Sequence, residues 1–126
     1  MGRGVSAEME VTKSFRFEAA HSLPLLPDGH KCKRLHGHSY EVIVGCKGPL
    51  EPTLQWVVDY ARISMCMKPL IDMVDHHNLN EVMDTDATTA EALALWFWER
   101  LAISLPWLSV IEVRETPTSN VILRKC

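Results

Sequence analysis

Cys32-Lys33-Arg34-Leu35-His36-Gly37-His38 packs a thiol, two cations and two imidazoles into seven residues, and Ser39-Tyr40-Glu41-Val42-Ile43-Val44 follows with strand character. Side chains of a strand alternate between faces, so His36 and His38 point the same way, together with Tyr40, Val42, Val44 and Cys46. Gly37 between them keeps the opposite face uncrowded. Two imidazoles on one face can both reach one metal ion. His21, just after an earlier strand-like run, supplies a third, and three neutral imidazoles with one open position are the ligand set of a catalytic zinc. Cys32 as a fourth ligand would instead close the site and make it structural.

Upstream, Met9, Val11, Phe15 and Phe17 alternate with Glu10, Thr12, Ser14 and Arg16, the pattern of a half-buried antiparallel strand that runs on into Glu18-Ala19-Ala20-His21. Leu23 to Lys33, with Pro24, Pro27 and Gly29, reads as a loop that delivers His30, Cys32 and the basic residues Lys31, Lys33 and Arg34 to the end of the first strand. The second strand covers His36 to Lys47 and ends in the turn Gly48-Pro49-Leu50-Glu51-Pro52. Trp56-Val57-Val58 reads as short and extended. Asp59 is suited to cap a helix over about Tyr60 to Met73, in which Tyr60, Ile63, Met67, Leu70 and Val74 recur at three and four and Pro69 introduces a kink. Asp75-His76-His77 closes that helix in a titratable cluster, and the following stretch to Thr85 reads as loop.

Thr88-Thr89-Ala90-Glu91 fits a Thr-x-x-Glu capping box and opens a second helix to about Ser104. Its Leu93, Leu95, Trp96, Phe97, Trp98, Leu101 and Ile103 are apolar nearly all round, which points either to deep burial or to a subunit interface. Ser109 to Thr116 alternates again, and Glu115 falls in phase with Ile111 and Val113. A carboxylate on the apolar side of a strand is either exposed at the strand's end or in need of a donor pair, such as the adjacent N–H groups of a ligand. Val121 to Arg124 can close the sheet. The order strand, strand, helix, helix, strand, strand makes an α+β sandwich: an antiparallel four-stranded sheet with two helices on one face and the other face left for water or another subunit.

The 126 residues fit one domain over 9–126 behind a flexible tail over 1–8, whose Met1-Gly2 start matches only a loose acylation pattern. A net charge of −3 gives no broad basic surface for nucleic acid, and no apolar run reaches the ~20 residues that span a membrane. Cys32, Cys46, Cys66 and Cys126 lack paired spacing and no signal peptide precedes them, which points to free thiols in a reducing cytoplasm.

With Cys32-x-x-x-His36-Gly37-His38, Asp75-His76-His77 and Arg114-Glu115-Thr116 in this order, the chain resembles the 6-pyruvoyltetrahydropterin synthase family, and within it the 6-carboxy-forming branch. Phe17-Glu18-Ala19-Ala20-His21, Pro27-Asp28-Gly29-His30-Lys31-Cys32 and the Thr88-Thr89-Ala90-Glu91 start add to the likeness, which covers about 15–116. The three-residue gap between Cys32 and His36 looks like the carboxy-forming branch; the pyruvoyl-forming branch has a longer one. The resemblance implies the tunnelling fold (T-fold), with subunits joined in stacked β-barrel rings, a homohexamer, and active sites between subunits. It implies zinc on His21, His36 and His38, Cys32 as general base, His76 with Asp75 in the second proton transfer, and Glu115 with Thr89 and Thr116 on the pterin edge. Because Asp75 and His76 are adjacent, a partner for His76 is expected from a neighbouring chain. The implied substrate is a pterin triphosphate, on a route to 7-deazapurines such as queuosine; the alternatives are pyruvoyl formation and a non-catalytic zinc module. Ala90 stands where that family often has Ser or Thr, and Gln55 where it commonly has Gly.

Overall fold

The computed structural model describes residues 7–126, so most of the expected tail over 1–8 lies outside the described residues. β1 (Glu10–His21) and β2 (His36–Lys47) form a long antiparallel hairpin in the register Phe17↔Tyr40, Ala19↔His38 and His21↔His36. β4 (Leu108–Thr116) pairs with β2, and β5 (Ser119–Arg124) closes the sheet against β4. α1 (Tyr60–Val74) and α3 (Ala90–Leu101) pack on one face. The α+β tunnelling fold is therefore the one expected.

Two short elements between α1 and α3 were not foreseen, and both lie in the stretch to Thr85 that reads as loop. β3 (His77–Asn78) runs parallel to β1, opposite Ala19 and Ala20, so the sheet has five strands in the order β3-β1-β2-β4-β5 and is mixed rather than antiparallel. α2 (Leu79–Met83) follows at once, capped by the Asn78 side chain and stopped by Asp84 in the left-handed region at φ 54°. Two strand residues and five helical ones are too few to show either period in sequence. Trp56-Val57-Val58 bends instead of forming a strand, and Val57 is buried.

α1 forms as its spacing requires. Asp59 accepts the Ala61 N–H at 2.9 Å, and Ile63, Met67, Leu70 and Val74 are all buried, while Tyr60 stays exposed. The helix runs through Pro69, whose ring is on the exposed side, where water can meet the carbonyl that proline leaves unpaired. In α3 the cap is Thr89, one residue later than the capping box places it: its hydroxyl accepts the Ala92 N–H at 3.2 Å. The apolar girth of α3 is mostly core: Leu93, Ala94, Trp96, Phe97 and Leu101 are buried within the single chain, and Leu95 is left on the surface. Phe17 stacks on Tyr40 with ring centroids 5.0 Å apart and meets Phe97 at 6.1 Å, which joins the hairpin to α3.

The open face of the sheet is polar. Ser39 donates to Glu18, Arg114 and Asn120 both donate to Glu112, and Ser109 donates to Glu10. Gln55 takes the left-handed conformation at φ 59° that a glycine would accept without strain, tied by its N–H to Glu51 O at 2.8 Å and by its amide to Pro52 O at 2.9 Å. Its presence leaves the turn in the conformation glycine favours.

Candidate active site

The hairpin register does the first part of the assembly. His21 and His36 are directly paired across β1 and β2, His38 lies one step along the same face, and all three share the helix side of the sheet with Tyr40. The imidazoles meet edge to face, with centroids 4.6 Å (His21–His36), 5.2 Å (His21–His38) and 4.9 Å (His36–His38) apart. One nitrogen from each lies within 4.8 Å of the others. A Cβ on Gly37 would meet only Ala19 O, at the ordinary distance of 3.6 Å, so the expected steric need for glycine there is absent.

Second partners fix the tautomers. His21 Nδ1 is 2.9 Å from Thr88 O and 3.1 Å from Thr88 Oγ1. Since a carbonyl only accepts, Nδ1 carries the proton and Nε2 keeps its lone pair. His36 Nδ1 likewise donates to Arg34 O at 2.6 Å. The Nε2 atoms of His21 and His38 are buried without a hydrogen-bond partner. Burial lowers the pKa of both imidazoles, outweighing the opposing pull of the Thr88 carbonyl at His21 and of Glu115 at both, and so favours the neutral, ligating form. Converging imidazole nitrogens, two of them buried without a partner and two rings held from behind at Nδ1 by a carbonyl, are what a zinc ion requires, and the three histidines fit it.

Glu115 sits in a bulge of β4, between Arg114 opposite Asn120 and Thr116 opposite Ser119. Bulges re-aim side chains, and this one brings Glu115 Oε2 to 3.7 Å from His21 Nε2 and Oε1 to 3.9 Å from His38 Nε2. The odd phase of Glu115 thus has its reason: the carboxylate faces the histidines and not solvent alone. A cleft of about 540 Å³ opens beside it, lined by His38, Tyr40, Glu115 and Thr116 and, from the open face of the sheet, by Arg16, Ser39, Glu41 and Arg114. The Tyr40 hydroxyl is also buried without a partner, and burial, helped by the Glu115 charge, raises its pKa so that it stays protonated.

The other expected site residues stand apart from this corner. Cys32 lies in a single turn of tight helix (Lys31–Lys33), pinned by its N–H to His30 Nδ1 at 3.1 Å and by its carbonyl to the Leu23 N–H at 3.0 Å. It is not among the residues whose ligand atoms cluster. Lys33 is paired with Asp28, which removes one cation from the basic run. Asp75 and His76 sit beside Glu18, on the edge of β1 opposite to β2. Contrary to expectation the two pair with each other, Nδ1 to Oδ1 at 3.0 Å, because His76 adopts φ 59° and folds its ring back over its neighbour. The Glu18 N–H and then His76 hold the Asp75 carboxyl below its usual pKa. Thr89 caps its helix, and Thr116 borders the cleft.

Thr88 and Asn80 escaped the sequence reading. Asn80 clamps Ser22 from both sides, accepting its N–H at 2.8 Å and donating to its carbonyl at 2.9 Å, so the backbone just after His21 is held as if by a further strand. Thr88 lies 67 positions from the ring it orients. Its only local signal was its place beside a helix cap.

A mixed sheet backed by helices, with three convergent histidines at the loop end of its long β1–β2 hairpin, defines a tunnelling-fold protein with a corner able to hold a metal ion. The chain belongs to the 6-pyruvoyl tetrahydropterin synthase family, which it matches over residues 10–126. It is 36% identical over 115 residues to the 6-carboxy-5,6,7,8-tetrahydropterin synthase of Synechocystis, covering 86% of this chain and 88% of that one. It is 31% identical over 90 residues to the dihydroneopterin monophosphate aldolase of Pyrococcus furiosus, covering 71% and 72%. The solved structure of Caenorhabditis elegans 6-pyruvoyl tetrahydropterin synthase superposes with a TM-score of 0.85 at 28% identity, over 95% of this chain and 97% of that one. Among the described residues, no helix is long and apolar enough to cross a membrane.

Proposed function

We propose that this chain is a zinc-dependent 6-carboxytetrahydropterin synthase of the cytoplasm. It would convert 7,8-dihydroneopterin triphosphate and water to 6-carboxy-5,6,7,8-tetrahydropterin, acetaldehyde and triphosphate, on the way to queuosine or a related 7-deazapurine. The main support is the pair of buried, unpartnered Nε2 atoms on His21 and His38 in a chain 36% identical to a protein named for the 6-carboxy product.

Zinc at His21, His36 and His38 would supply a Lewis acid that lowers the pKa of the substrate's side-chain hydroxyls. Glu115 accepts two N–H groups from the amino-pyrimidine edge of the pterin, with Thr116 beside it in the cleft wall and Thr89 at the start of α3. Cys32 is the general base on the side chain, and the loop that carries it is tied to Leu23, two residues past His21. His76, oriented by Asp75, moves the second proton. Within one chain that pair stands at the far edge of β1 from His36 and His38. The mechanism therefore calls for a second copy to present it, in a homohexamer with sites between subunits. The polar open face of the sheet suits a water-filled ring interior.

Mass analysis of the products formed by zinc-loaded protein from 7,8-dihydroneopterin triphosphate is the test. The expected outcome is the 6-carboxy product with acetaldehyde. A 6-pyruvoyl product would assign the chain to the sister reaction, and no conversion would overturn the enzymatic reading. A parallel incubation with the monophosphate separates it from the activity for which the Pyrococcus relative is named.

A further inference from the structure

The turn that carries Cys32 has no core to hold it. No residue of Lys31–Lys33 is buried, so the place of the thiol depends on polar contacts. The Cys32 carbonyl accepts the Leu23 N–H at 3.0 Å, which ties it to the strand end that carries His21. The Cys32 N–H donates to His30 Nδ1 at 3.1 Å, and the His30 carbonyl accepts the Lys33 N–H at 3.0 Å. His30 thus closes the turn with its backbone and caps it with its ring. A backbone N–H only donates, so this Nδ1 carries a lone pair. The rings of His21, His36, His76 and His77 do the opposite, each presenting Nδ1 to an oxygen. Elsewhere the chain gives the same capping bond to ordinary capping residues. Asp59 Oδ1 accepts the Ala61 N–H and Asn78 Oδ1 the Asn80 N–H, each two residues on and each at 2.9 Å. Histidine Nδ1 and asparagine Oδ1 stand the same number of bonds from Cα, so an imidazole can take the place of those caps.

We propose that His30 is the positioning residue of Cys32: its ring fixes the backbone at Cys32 and so sets where the thiol stands. The consequence for catalysis rests on the general-base role of Cys32 proposed above; the cap does not. With the N–H held by His30 and the carbonyl by Leu23, the freedom left to the thiol is rotation of its own side chain. Without the ring acceptor the N–H turns to water, and the turn keeps only the Leu23 contact and the Lys33–Asp28 pair. A reacting group misplaced by about an ångström can lose ~100-fold in rate. His30 is exposed and touches no part of the core, so its loss is felt in catalysis and not in stability. The ring itself transfers no proton and contacts no substrate.

The test compares zinc-loaded, full-length wild type with His30→Ala, His30→Asn and His30→Gln. Asparagine restores an acceptor at the position of Nδ1, and glutamine offers the same amide one bond too far out. One readout needs no substrate: the rate at which iodoacetamide alkylates Cys32, followed peptide by peptide because Cys66 and Cys126 are also free. The other is kcat and KM with 7,8-dihydroneopterin triphosphate. Loss of a cap shifts a local equilibrium by a factor of about 2 to 30, so alanine should speed alkylation of the half-buried thiol about fivefold. The same variant should lower kcat about tenfold with KM within about twofold, short of the ~100- to 10,000-fold that removing a general base costs. Glutamine should behave as alanine does, and asparagine should return both readouts to within about threefold of wild type. Zinc content and thermal midpoint should be the same in all.

Alkylation and kcat unchanged in His30→Ala overturn the proposal. An asparagine variant as impaired as alanine overturns it too, as does a KM that rises alone, because either result puts the ring on the substrate. Zinc lost from His30→Ala would move the effect to the metal and sink the positioning role. Alkylation in the expected order without turnover in any protein leaves the cap on Cys32 standing and removes the synthase reading. Turnover that is indifferent to His30, with alkylation equally indifferent, does the reverse.

Discussion

The three-histidine corner and the proposed proton-transfer groups are built on opposite terms. His21 is 1% exposed and His38 20%, both on paired strands, with Thr88 fixing the His21 ring and Asn80 the backbone at Ser22. His76 is 77% exposed, on a left-handed residue at the rim of the sheet, and Cys32 lies in a loop held by two backbone contacts. Ligands must stand ready before the ion arrives, and rigid strands with second partners provide that. Groups that exchange protons need access, and they can be completed by substrate or by another copy. A single chain therefore shows the candidate metal site nearly whole and the proposed catalytic set dispersed.

The largest effect should come from breaking the rigid side. His38→Ala removes one of three convergent nitrogens, and zinc affinity should fall by more than the ~10- to 100-fold that outer partners cost, with turnover lost. Metal content after dialysis against a chelator measures it. Cys32→Ala touches only the proposed proton-transfer side. Zinc should be retained while turnover drops ~100- to 10,000-fold, read by metal analysis and steady-state kinetics on one preparation. Loss of zinc there would erase the distinction between the two regions.

Acid should sharpen the contrast in the metal-free protein. Burial depresses the His21 and His38 pKa values in the folded state, so as pH falls through the ordinary value of about 6.5 the unfolded chain takes up protons first. The stability these residues contribute is complete above that value and is lost as pH falls through their folded pKa values. Thermal midpoints of metal-free protein should therefore decline as pH falls below about 6.5, and zinc should steepen the decline because protons compete with it. The smallest effect is expected for Thr88→Val, which removes the hydroxyl and leaves the carbonyl on His21 Nδ1. Zinc affinity should weaken about tenfold or less. No change would assign the tautomer to the carbonyl alone.

Long periodic segments were legible without coordinates. β2 spans His36–Lys47 as its alternation indicates, and α1 keeps its cap at Asp59 and its buried stripe. The capping box was off by one residue because only Thr88 has a glutamate three positions on, whereas the residue that caps is Thr89, followed at that spacing by Ala92. Only tertiary contact shows that Thr88 is spent on His21 and Thr89 on Ala92. The pairing of Asp75 with His76 was missed for a similar reason. Adjacent side chains usually diverge, and the left-handed backbone that reverses this one is set by docking on Glu18.

By itself the sequence determined the α+β class, the faces of the long strands and the alignment of His36 with His38, because a period of two needs only neighbours along the chain. It also carried the family likeness, because motif order survives where contacts are unknown. The tertiary structure alone decided the pairing of His21 with His36, the β4 bulge that turns Glu115 towards the histidines, and the buried lone pairs beneath it. Those depend on strand register and on contacts between residues up to about a hundred positions apart, which local chemistry does not encode.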